Sequence, residues 1–464
     1  MRVNCNISAI IANTQLSSTE TALSQSIERL SSGLRINHAS DDASGMAVSK
    51  KMHTQIKALE RATSNTGDGI SVVQTAEASL GEMENILQRM RELAVQSASD
   101  TNTASDREAL QSEVEMLQKE VDRISTDTEY NTMPLLDGTL RRRAFAKSEQ
   151  DGIAMFDMSN SVANGQYHFT VDAGDAAQYA EATMNLDSLA GTDGTVRING
   201  AEVAVSADDT EEEIYDKLAE ACNTAGLSYT RSGSSVTITE NVAGSAHTLQ
   251  ITPSESYYGA SIVDGATFDE DNKTYTATGT DATLTLDTGS GFSATASVTA
   301  DGNIIRVRDV NSFEMEFEIP VGEAVDATFN VTQIGTMSIQ AGAGEGQQID
   351  IDIPEVNCHT LNIDKINIAT DHRAGEAITA LDEAINKVSS IRSKLGAYQN
   401  RLETTQSNLA TYNENLTSAL SGMEDCDMAE EMTEFTTQNV KTQAATSVLA
   451  QANERPQTVL QLLQ

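Results

Sequence analysis

The chain has few of the side chains that usually fill a compact globular core. Its 464 residues include no tryptophan, and aromatic residues make up only 4%. Because aromatic side chains supply much of the apolar surface of compact cores, their scarcity argues against a globular enzyme of this length. Low aromatic content is instead typical of long helical seams built from leucine, isoleucine, valine, methionine and alanine.

Basic residues are also few. The chain has 30 lysines and arginines against 69 aspartates and glutamates, which gives a formal net charge of −39. Nucleic acids and anionic membranes both attract basic surfaces, so the charge argues against either partner. No stretch approaches the roughly 20 consecutive apolar residues of a membrane span. The start of the chain lacks the pattern of a cleaved signal peptide, so we expect a cytoplasmic protein or one exported by another route.

Motifs for metal binding and catalysis are missing. No two of the four cysteines have CxxC spacing, and scattered cysteines favour free thiols, so we expect no bridge within one subunit. The histidines never show the His-Glu-x-x-His spacing of a zinc peptidase. Segment 269–273 is similar to a calcium loop, but Lys273 occupies a ligand position. We therefore predict no catalytic site, metal or cofactor. The cysteines are Cys5, Cys222, Cys358 and Cys426.

The chain is helical at both ends. In the N-terminal part, apolar residues follow the steps of seven, four, three and four that are typical of a coiled coil: Leu16, Leu23, Ile27, Leu30 and Leu34. Gly33 is the predicted C-cap of this helix. Asp41 and Asp42 are predicted to cap the next helix, and Ser105 and Glu108 a third. The second helix should bury a stripe formed by Leu80, Met83, Leu87, Met90 and Ala94.

The middle of the chain changes to the period of two that is typical of strands. Segments 195–205 and 236–251 alternate apolar and polar residues, and 208–218 reads as a short capped helix between them. Asp301-Gly302 is a hairpin signal. We therefore predict an inserted α+β, β-rich domain at residues 141–333.

A second hairpin and more helix follow. Residues 337–353 should form a hairpin around a glycine-rich turn. Apolar residues then hold a seam from Ile378 to Leu416, which Gly422 is predicted to break. A last helix is predicted before Pro456, followed by an apolar tail.

Isolated amphipathic helices must bury their stripes. The β-rich insert cannot cover the stripes at both ends, so the ends must pack together, against neighbouring subunits, or both. The sequence thus predicts a mainly α fold, with a coiled-coil core formed by both chain ends, and a filament subunit as its function.

Several motifs resemble those of a known family. Residues 31–37 read SSGLRIN, 41–47 DDASGMA and 88–96 QRMRELAVQ, whereas 131–138 read NTMPLLDG and 446–456 TSVLAQANERP. Together, in this order, they resemble the bacterial flagellins, the subunits of the flagellar filament. The departures are the four cysteines and an unusual helix at 425–439.

The resemblance implies a domain layout. An inner helical core would comprise 1–42 and 421–464, and an outer helical core 43–140 and 334–420. The insert at 141–333 would project outward, and 194–252 resembles the family's insertion module. The residues expected in the polymerisation seam are Leu16, Leu23, Ile27, Leu30, Leu34, Val448, Leu449, Leu460 and Leu463.

The resemblance also implies partners and a location. The chain would polymerise with itself, meet filament cap and junction proteins, and have its C-terminal helix covered by an export chaperone. It would leave the cell by the flagellar type III route without a cleaved signal peptide. The animal Toll-like receptor for flagellin would bind a patch formed by Arg89, Leu93 and Glu113, with Leu93 exposed as the apolar anchor. The alternative is that Leu93 widens the buried core against a C-terminal helix.

Three other functions remain open at this stage. A hook–filament junction protein shares the helical ends, although it usually matches the motifs weakly. A filament-displayed enzyme would need a catalytic site, which the sequence does not reveal. An adhesin, whose insert binds a host or sugar ligand, is compatible with the sequence as a secondary role.

Overall fold

The computed structural model describes residues 6–99, 101–148, 152–159, 161–257, 262–286, 289, 291–310, 313–332 and 334–462, without the side chains of 371–372 and 456–462. The chain divides into two compact units. The terminal unit comprises Met1–Asp68, Gln340–Gln348 and Leu402–Gln464, and the central unit comprises Gly69–Ile339 and Ile349–Arg401.

Long helices occupy both ends of the chain, as predicted. The helices are α1 Ile7–Ser32, α2 Ala43–Ser97, α3 Ala104–Asp127, α4 Leu186–Leu189, α5 Glu211–Thr224, α6 Asp371–Glu424 and α7 Met428–Leu462. None of those that the structure describes is long and apolar enough to cross a membrane. The fold class of helical ends with a β-rich insert is confirmed.

Antiparallel strands fill the middle of the chain. They are β1 Glu129–Tyr130, β2 Met133–Pro134, β3 Ala144–Ser148, β4 Ala154–Met158, β5 Gly165–Val171, β6 Tyr179–Asn185, β7 Gly194–Ile198, β8 Ala201–Val205, β9 Ser228–Ser232, β10 Ser235–Ala243, β11 Thr248–Pro253, β12 Val263–Asp264, β13 Thr267–Asp269, β14 Thr274–Thr278, β15 Thr285–Leu286, β16 Ser297–Asp301, β17 Ile304–Asp309, β18 Phe313–Glu318, β19 Val325–Val331, β20 Met337–Gln340 and β21 Gln348–Ile351. Asp301 pairs with Ile304 across a turn at Gly302, whose φ is 60°, which confirms that hairpin.

The insert has two apolar cores. Sheets β12-β6-β10-β9 and β13-β14-β11-β7-β8 share one core with α5, and we call residues 179–278 the inner module. Sheets β15-β5-β19-β3 and β16-β17-β18-β4 share the other, which is built around Phe169, Phe317 and Phe329. Each core is large enough to stabilise its sheets locally, because buried apolar area is the main favourable term in folding.

The helical part of the central unit is held by the predicted stripe of α2. Leu80, Met83, Leu87, Met90 and Ala94 are all fully buried. Helix α6 also carries a row of buried apolar residues, namely Ala374, Ala377, Leu381, Ala384, Val388, Ile391 and Leu395. The burial of both stripes excludes water from this helix pair.

Ion pairs set the antiparallel register of α2 and α6. Arg392 Nη2 lies 2.7 Å from Glu77 Oε1 and also contacts Glu84. Fourteen positions along α2 from Glu77, Arg91 Nε lies 2.5 Å from Asp382 Oδ1. These partly exposed pairs flank the stripe and fix which residues face each other.

Three helix ends differ from the predictions. The capping box of α3 joins Thr103 and Asp106 rather than Ser105 and Glu108, since the shorter carboxylate at Asp106 already reaches the Thr103 N–H at 3.0 Å. Helix α6 continues past Gly422 to Glu424, and α7 continues through Pro456. Helix α6 is unbroken at Gly422 because tertiary packing outweighs the weak propensity of a single glycine.

The described cysteines are unpaired. Cys222 and Cys358 are buried, Cys426 is half-buried, and all three are free thiols. Cys5 lies outside the described residues. Burial raises the pKa of Cys222 to about 12, and burial together with the carboxylate of Asp122 raises that of Cys358.

These environments predict an order of reactivity. Since the thiolate is the reactive form, alkylation of the folded monomer at about pH 8 should modify Cys426 well before Cys222 or Cys358. Peptide mass spectrometry over time, without reductant, measures this order. Denaturant should then expose the other two. Equal rates for Cys222 and Cys426 in the folded protein would contradict the packing described above.

Shortening a side chain in the α2 stripe should lower the free energy of unfolding considerably. Replacing the fully buried Leu87 by alanine should destabilise the monomer by about 2–5 kcal/mol, because it leaves a cavity. Denaturant unfolding followed by circular dichroism measures the loss. The matched control is Met116→Ala on α3, where the side chain is 64% exposed and the change should be small. Equal effects of the two substitutions would show that the stripe does not carry the stability.

Candidate assembly surface and receptor patch

Helices α1 and α7 pack against each other in the terminal unit. The buried positions are separated by seven residues, or by twice seven, on both helices, as in a coiled coil. On α1 they are Ala12, Thr19 and Ser26, and on α7 they are Glu431, Gln438 and Ala452. Leu16, Leu23 and Leu30 form the neighbouring row and are only half-buried. The centre of this seam is therefore small and polar, with leucines along its edge.

Polar contacts fix the antiparallel register of the two helices. Ser26 Oγ donates to Glu431 Oε1 at 2.5 Å, and Arg29 Nη1 lies 3.7 Å from Glu431 Oε2. At the other end, Asn6 Nδ2 donates to the carbonyl of Ala452 at 2.8 Å. A polar residue at a buried coiled-coil position penalises every register in which it loses its partner.

Both helices leave large apolar side chains uncovered. On α1 and α7, the following are 48–64% exposed: Ile7, Ile10, Ile11, Ile27, Met428, Met432, Val440 and Val448. Among the predicted seam residues, Ile27 and Val448 belong to this exposed set, whereas Leu34 and Leu449 are half-buried. Leu460 and Leu463 lie outside the described side chains. An exposed apolar set of this size marks an interaction surface.

The SSGLRIN motif ends α1 and ties it to the start of α7. Gly33 takes a φ of 74° at the C-cap, as predicted, and its carbonyl accepts from the Cys426 N–H at 2.9 Å. The Arg35 N–H donates to the carbonyl of Glu424 at 2.7 Å, and its guanidinium to that of Met423 at 2.5 Å. The motif therefore satisfies carbonyl groups at the end of α6.

The DDASGMA motif begins α2. Asp42 Oδ1 accepts from the Ser44 N–H at 3.0 Å and from the Gly45 N–H at 2.8 Å, as an N-cap does. A Cβ at position 45 would lie 2.4 Å from Asp42 Oδ2 and 2.8 Å from Ile36 Cδ1, so a side chain here would displace the capping carboxylate and the end of Ile36. Seven residues after the cap, Ser49 donates to Glu424 Oε2 at 2.9 Å. The two motifs thus hold four helix ends together in the terminal unit.

The predicted receptor patch is only partly as expected. Arg89 is 49% exposed at its side chain, and its Nη2 lies 2.8 Å from Glu113 Oε1 on α3. Arg89 also pairs with Glu92 at 3.3 Å. The expectation that Leu93 is exposed is wrong, because this residue is 1% exposed. The patch is an ion-paired polar surface without an apolar anchor at Leu93.

The burial of Leu93 has a clear cause. Helix α2 is covered on a second side by α3 and the segment before α6. Ser97 Oγ donates to the Ile368 carbonyl at 2.5 Å, and the Ile368 N–H donates to Gln111 Oε1 at 2.7 Å. Arg107 Nε donates to the carbonyl of Ser97 at 2.9 Å. Covering two sides widens the apolar face of α2 beyond the predicted stripe.

The contact between Ser26 and Glu431, which we call the polar lock, was not predicted from the sequence. A signal for it exists, since Thr19 and Ser26 on α1, and Glu431 and Gln438 on α7, are each seven residues apart. The leucines beside them match a coiled-coil stripe more closely, and the pattern therefore indicated the leucines instead. Among the described residues, no group of three or more histidine, cysteine or carboxylate side chains could hold a metal ion.

The two chain ends pair into one coiled coil and still expose apolar side chains. This combination is typical of a class of protein, the subunits of helical polymers. Comparison with known families agrees with this class. Residues 3–141 match the bacterial flagellin N-terminal helical region, and residues 378–463 match the C-terminal helical region. A flagellin from Clostridium tyrobutyricum is 36% identical over 98% of this chain and 100% of its own length.

Other relatives align over nearly their whole length. A flagellin from Salmonella typhimurium is 31% identical over 99% of both chains. Flagellin B from Vibrio cholerae is 30% identical over 100% of this chain and 99% of its own. The chain belongs to the bacterial flagellins, and it is a structural subunit of the extracellular flagellar filament. Because these relatives are all flagellins and align over nearly the whole chain, they favour a filament subunit over a hook–filament junction protein.

Solved structures give weaker likenesses. A FliC structure from Burkholderia pseudomallei is 21% identical, covers 72% of this chain and 99% of its own, and has a TM-score of 0.25. A flagellar hook associated protein-3 from Legionella pneumophila is 13% identical, covers 81% and 98%, and has a TM-score of 0.31. We draw nothing from either likeness at such low TM-scores.

The polar lock predicts an assembly defect. Glu431→Ala removes the acceptor of Ser26 and the partner of Arg29, which should weaken α1–α7 pairing by about 1–2 kcal/mol. The critical concentration for filament growth, measured by sedimentation, should then rise roughly five- to thirtyfold. Glu430→Ala, at an exposed position one residue earlier, is the matched control. Equal critical concentrations for the two variants would show that the contact between Ser26 and Glu431 does not contribute to assembly.

Proposed function

We propose that filament assembly is driven by burial of the exposed apolar side chains of α1 and α7 between neighbouring subunits. The observation that carries this proposal is the exposed set on these two helices, from Ile7 to Val448. Full burial of one such side chain contributes about 1.5–3 kcal/mol, so several of them together offset the entropy lost on association. The polar lock between Ser26 and Glu431 would then select the register of α1 and α7 in which these apolar side chains face outward.

The domain layout follows from the same proposal. Residues 1–42 and 421–464 would form the inner core, and 43–140 with 334–420 the outer core. The insert at 141–333, including the module at 194–252, would project outward. The insert has two apolar cores of its own, which supports the proposal that it folds without help from the assembly surface. The insert would set surface properties rather than polymer contacts.

Other partners would act on the same surfaces. Before export, a flagellar chaperone would cover the C-terminal helix α7, whose exposed Met432 and Val440 are an aggregation hazard in the free monomer. Export would follow the flagellar type III route. Cap and junction proteins would meet the subunit at the filament ends. The acidic charge supports neither nucleic acid nor membrane as a partner, and no catalysis is proposed.

The host Toll-like flagellin receptor would recognise the exposed polar patch formed by Arg89 and Glu113. Leu93 would act only indirectly, through the core beneath that patch. Recognition would be limited to shed monomer, because assembly would bury this face between subunits. This proposal depends on the family resemblance and on the exposure of Arg89.

Deleting the end of α7 should abolish assembly. Removal of residues 446–464 takes away Val448 and Leu449 and shortens the helix that pairs with α1. Electron microscopy under polymerising salt should then show no filaments, whereas circular dichroism should show that the central unit remains folded. The comparison variant replaces 141–333 by a short linker and should still polymerise. Filaments of the first variant, or an unfolded second variant, would contradict the proposed layout.

Receptor binding should depend on Arg89. Arg89→Ala is expected to weaken binding by at least about 1 kcal/mol, as at an interface hot spot. Surface plasmon resonance with the receptor ectodomain measures this change. Arg123→Ala is the matched control, since Arg123 is also an exposed arginine held by two carboxylates, at 2.6 and 2.9 Å. Unchanged affinity of the folded Arg89 variant would exclude the patch.

A further inference from the structure

A cleft of about 420 Å³ lies in the central unit between the inner module and the first turns of α6. Its walls come from the β10–β11 connection, the end of β16, the segment before α6, and α6 itself. Ionisable side chains from all four elements line it, including His247, Asp301, Lys365, Arg373 and Glu376. Apolar side chains such as Val242 and Ile366 also line it, so the cleft is a mixed surface that holds several charges.

One ion pair forms the buried base of this junction. Arg373 Nη2 on α6 lies 2.5 Å from Glu240 Oε1 on β10, and the two side chains are 5% and 1% exposed. The Asn241 N–H also donates to Glu240 Oε1, at 3.0 Å. This buried pair joins the inner module to the helical core through the guanidinium of an arginine, the cation best suited to buried ion pairs.

A second, titratable pair lies beside the first. His247 Nδ1, in the β10–β11 connection, lies 3.9 Å from Glu376 Oε2, one helical turn after Arg373. Glu376 Oε2 also lies 4.0 Å from Arg373 Nη1. Glu376 thus lies between Arg373 on its own helix and His247 on the module. The charge of His247 decides whether this carboxylate is balanced from the module side.

Acidic groups outnumber basic ones around His247. The carboxylates are Glu240, Glu376, Asp301 and Asp281, with Glu383 further along the cleft. The basic groups are Arg373 and Lys365. Asp281 is engaged by the Ser245 and Gly302 N–H groups, at 2.8 and 3.0 Å. A protonated imidazole would therefore sit among uncompensated negative charges.

We propose that this junction is a proton-tightened latch: protonation of His247 docks the inner module more firmly on the start of α6, and loss of that proton loosens it. The proposal concerns the orientation of the outward-facing insert and is independent of the polymerisation surface. It also concerns opening of the junction only, because the module has an apolar core of its own.

The direction follows from proton linkage. Burial opposes a charged His247, but the negative charge of Glu376, together with the charges of Glu240 and Asp301, outweighs burial and raises its pKa. The docked state therefore binds this proton more tightly than the undocked state. The resulting stabilisation is fully present below about pH 6.5 and is lost as the pH rises through the higher docked value. Burial also raises the pKa of Glu240, which adds a contribution of the same sign at lower pH.

Hydrogen exchange of the monomeric full-length protein tests the latch. After correction for intrinsic rates, protection of the β10–β11 connection and the first turns of α6 should fall at least roughly threefold between about pH 6 and about pH 8.5. The experiment is repeated at about 1 M NaCl, since added salt screens the general repulsion of an acidic chain far more than a partly buried pair. The pH dependence should persist there.

Two variants and one control decide the outcome. His247→Gln, from the module side, and Glu376→Gln, from the α6 side, should each flatten the pH profile. His168→Gln is the control, because His168 also pairs with a carboxylate, at 2.9 Å from Asp326, but on a different sheet. Unchanged protection of β6 to β9 shows that the module is folded in each variant. A flat wild-type profile, or the wild-type slope in both junction variants, would overturn the proposal.

Discussion

The structure depends on the antiparallel pairing of the two ends of one chain. Amphipathic helices of this kind are marginal in isolation, so each end needs the other to bury its stripe. In the central unit this need is met in full, because the stripes of α2 and α6 are both buried. In the terminal unit it is met only in part, because α1 and α7 bury small and polar residues and leave isoleucine, methionine and valine exposed.

This difference separates folding from assembly. The seam centred on Ser26 and Glu431 sets the register of α1 against α7 but buries little apolar surface. A buried polar pair of this kind adds little net stability. The apolar surface that would stabilise α1 and α7 remains available for other subunits. The SSGLRIN and DDASGMA motifs fit the same division, because Gly33, Asp42 and Gly45 fix the helix ends from which both surfaces extend.

Most of the fold could be predicted from the sequence, because its periodicities are long and regular. The buried stripe from Leu80 to Ala94, the C-cap at Gly33 and the hairpin at Gly302 all follow from local patterns. Leu93 could not be placed in this way, since its burial depends on α3 and a segment that begins more than 200 residues later. The partners of Glu431 and Arg373 are likewise set by contacts that no local pattern encodes.

The most direct test of the central claim is an electron cryo-microscopy reconstruction of the filament at side-chain resolution. We expect α1 and α7 to stay paired in the filament through Ser26 and Glu431. We also expect Ile10, Ile11 and Val440 to contact neighbouring subunits. A filament in which these apolar side chains still face solvent, while other surfaces hold the subunits together, would contradict that claim.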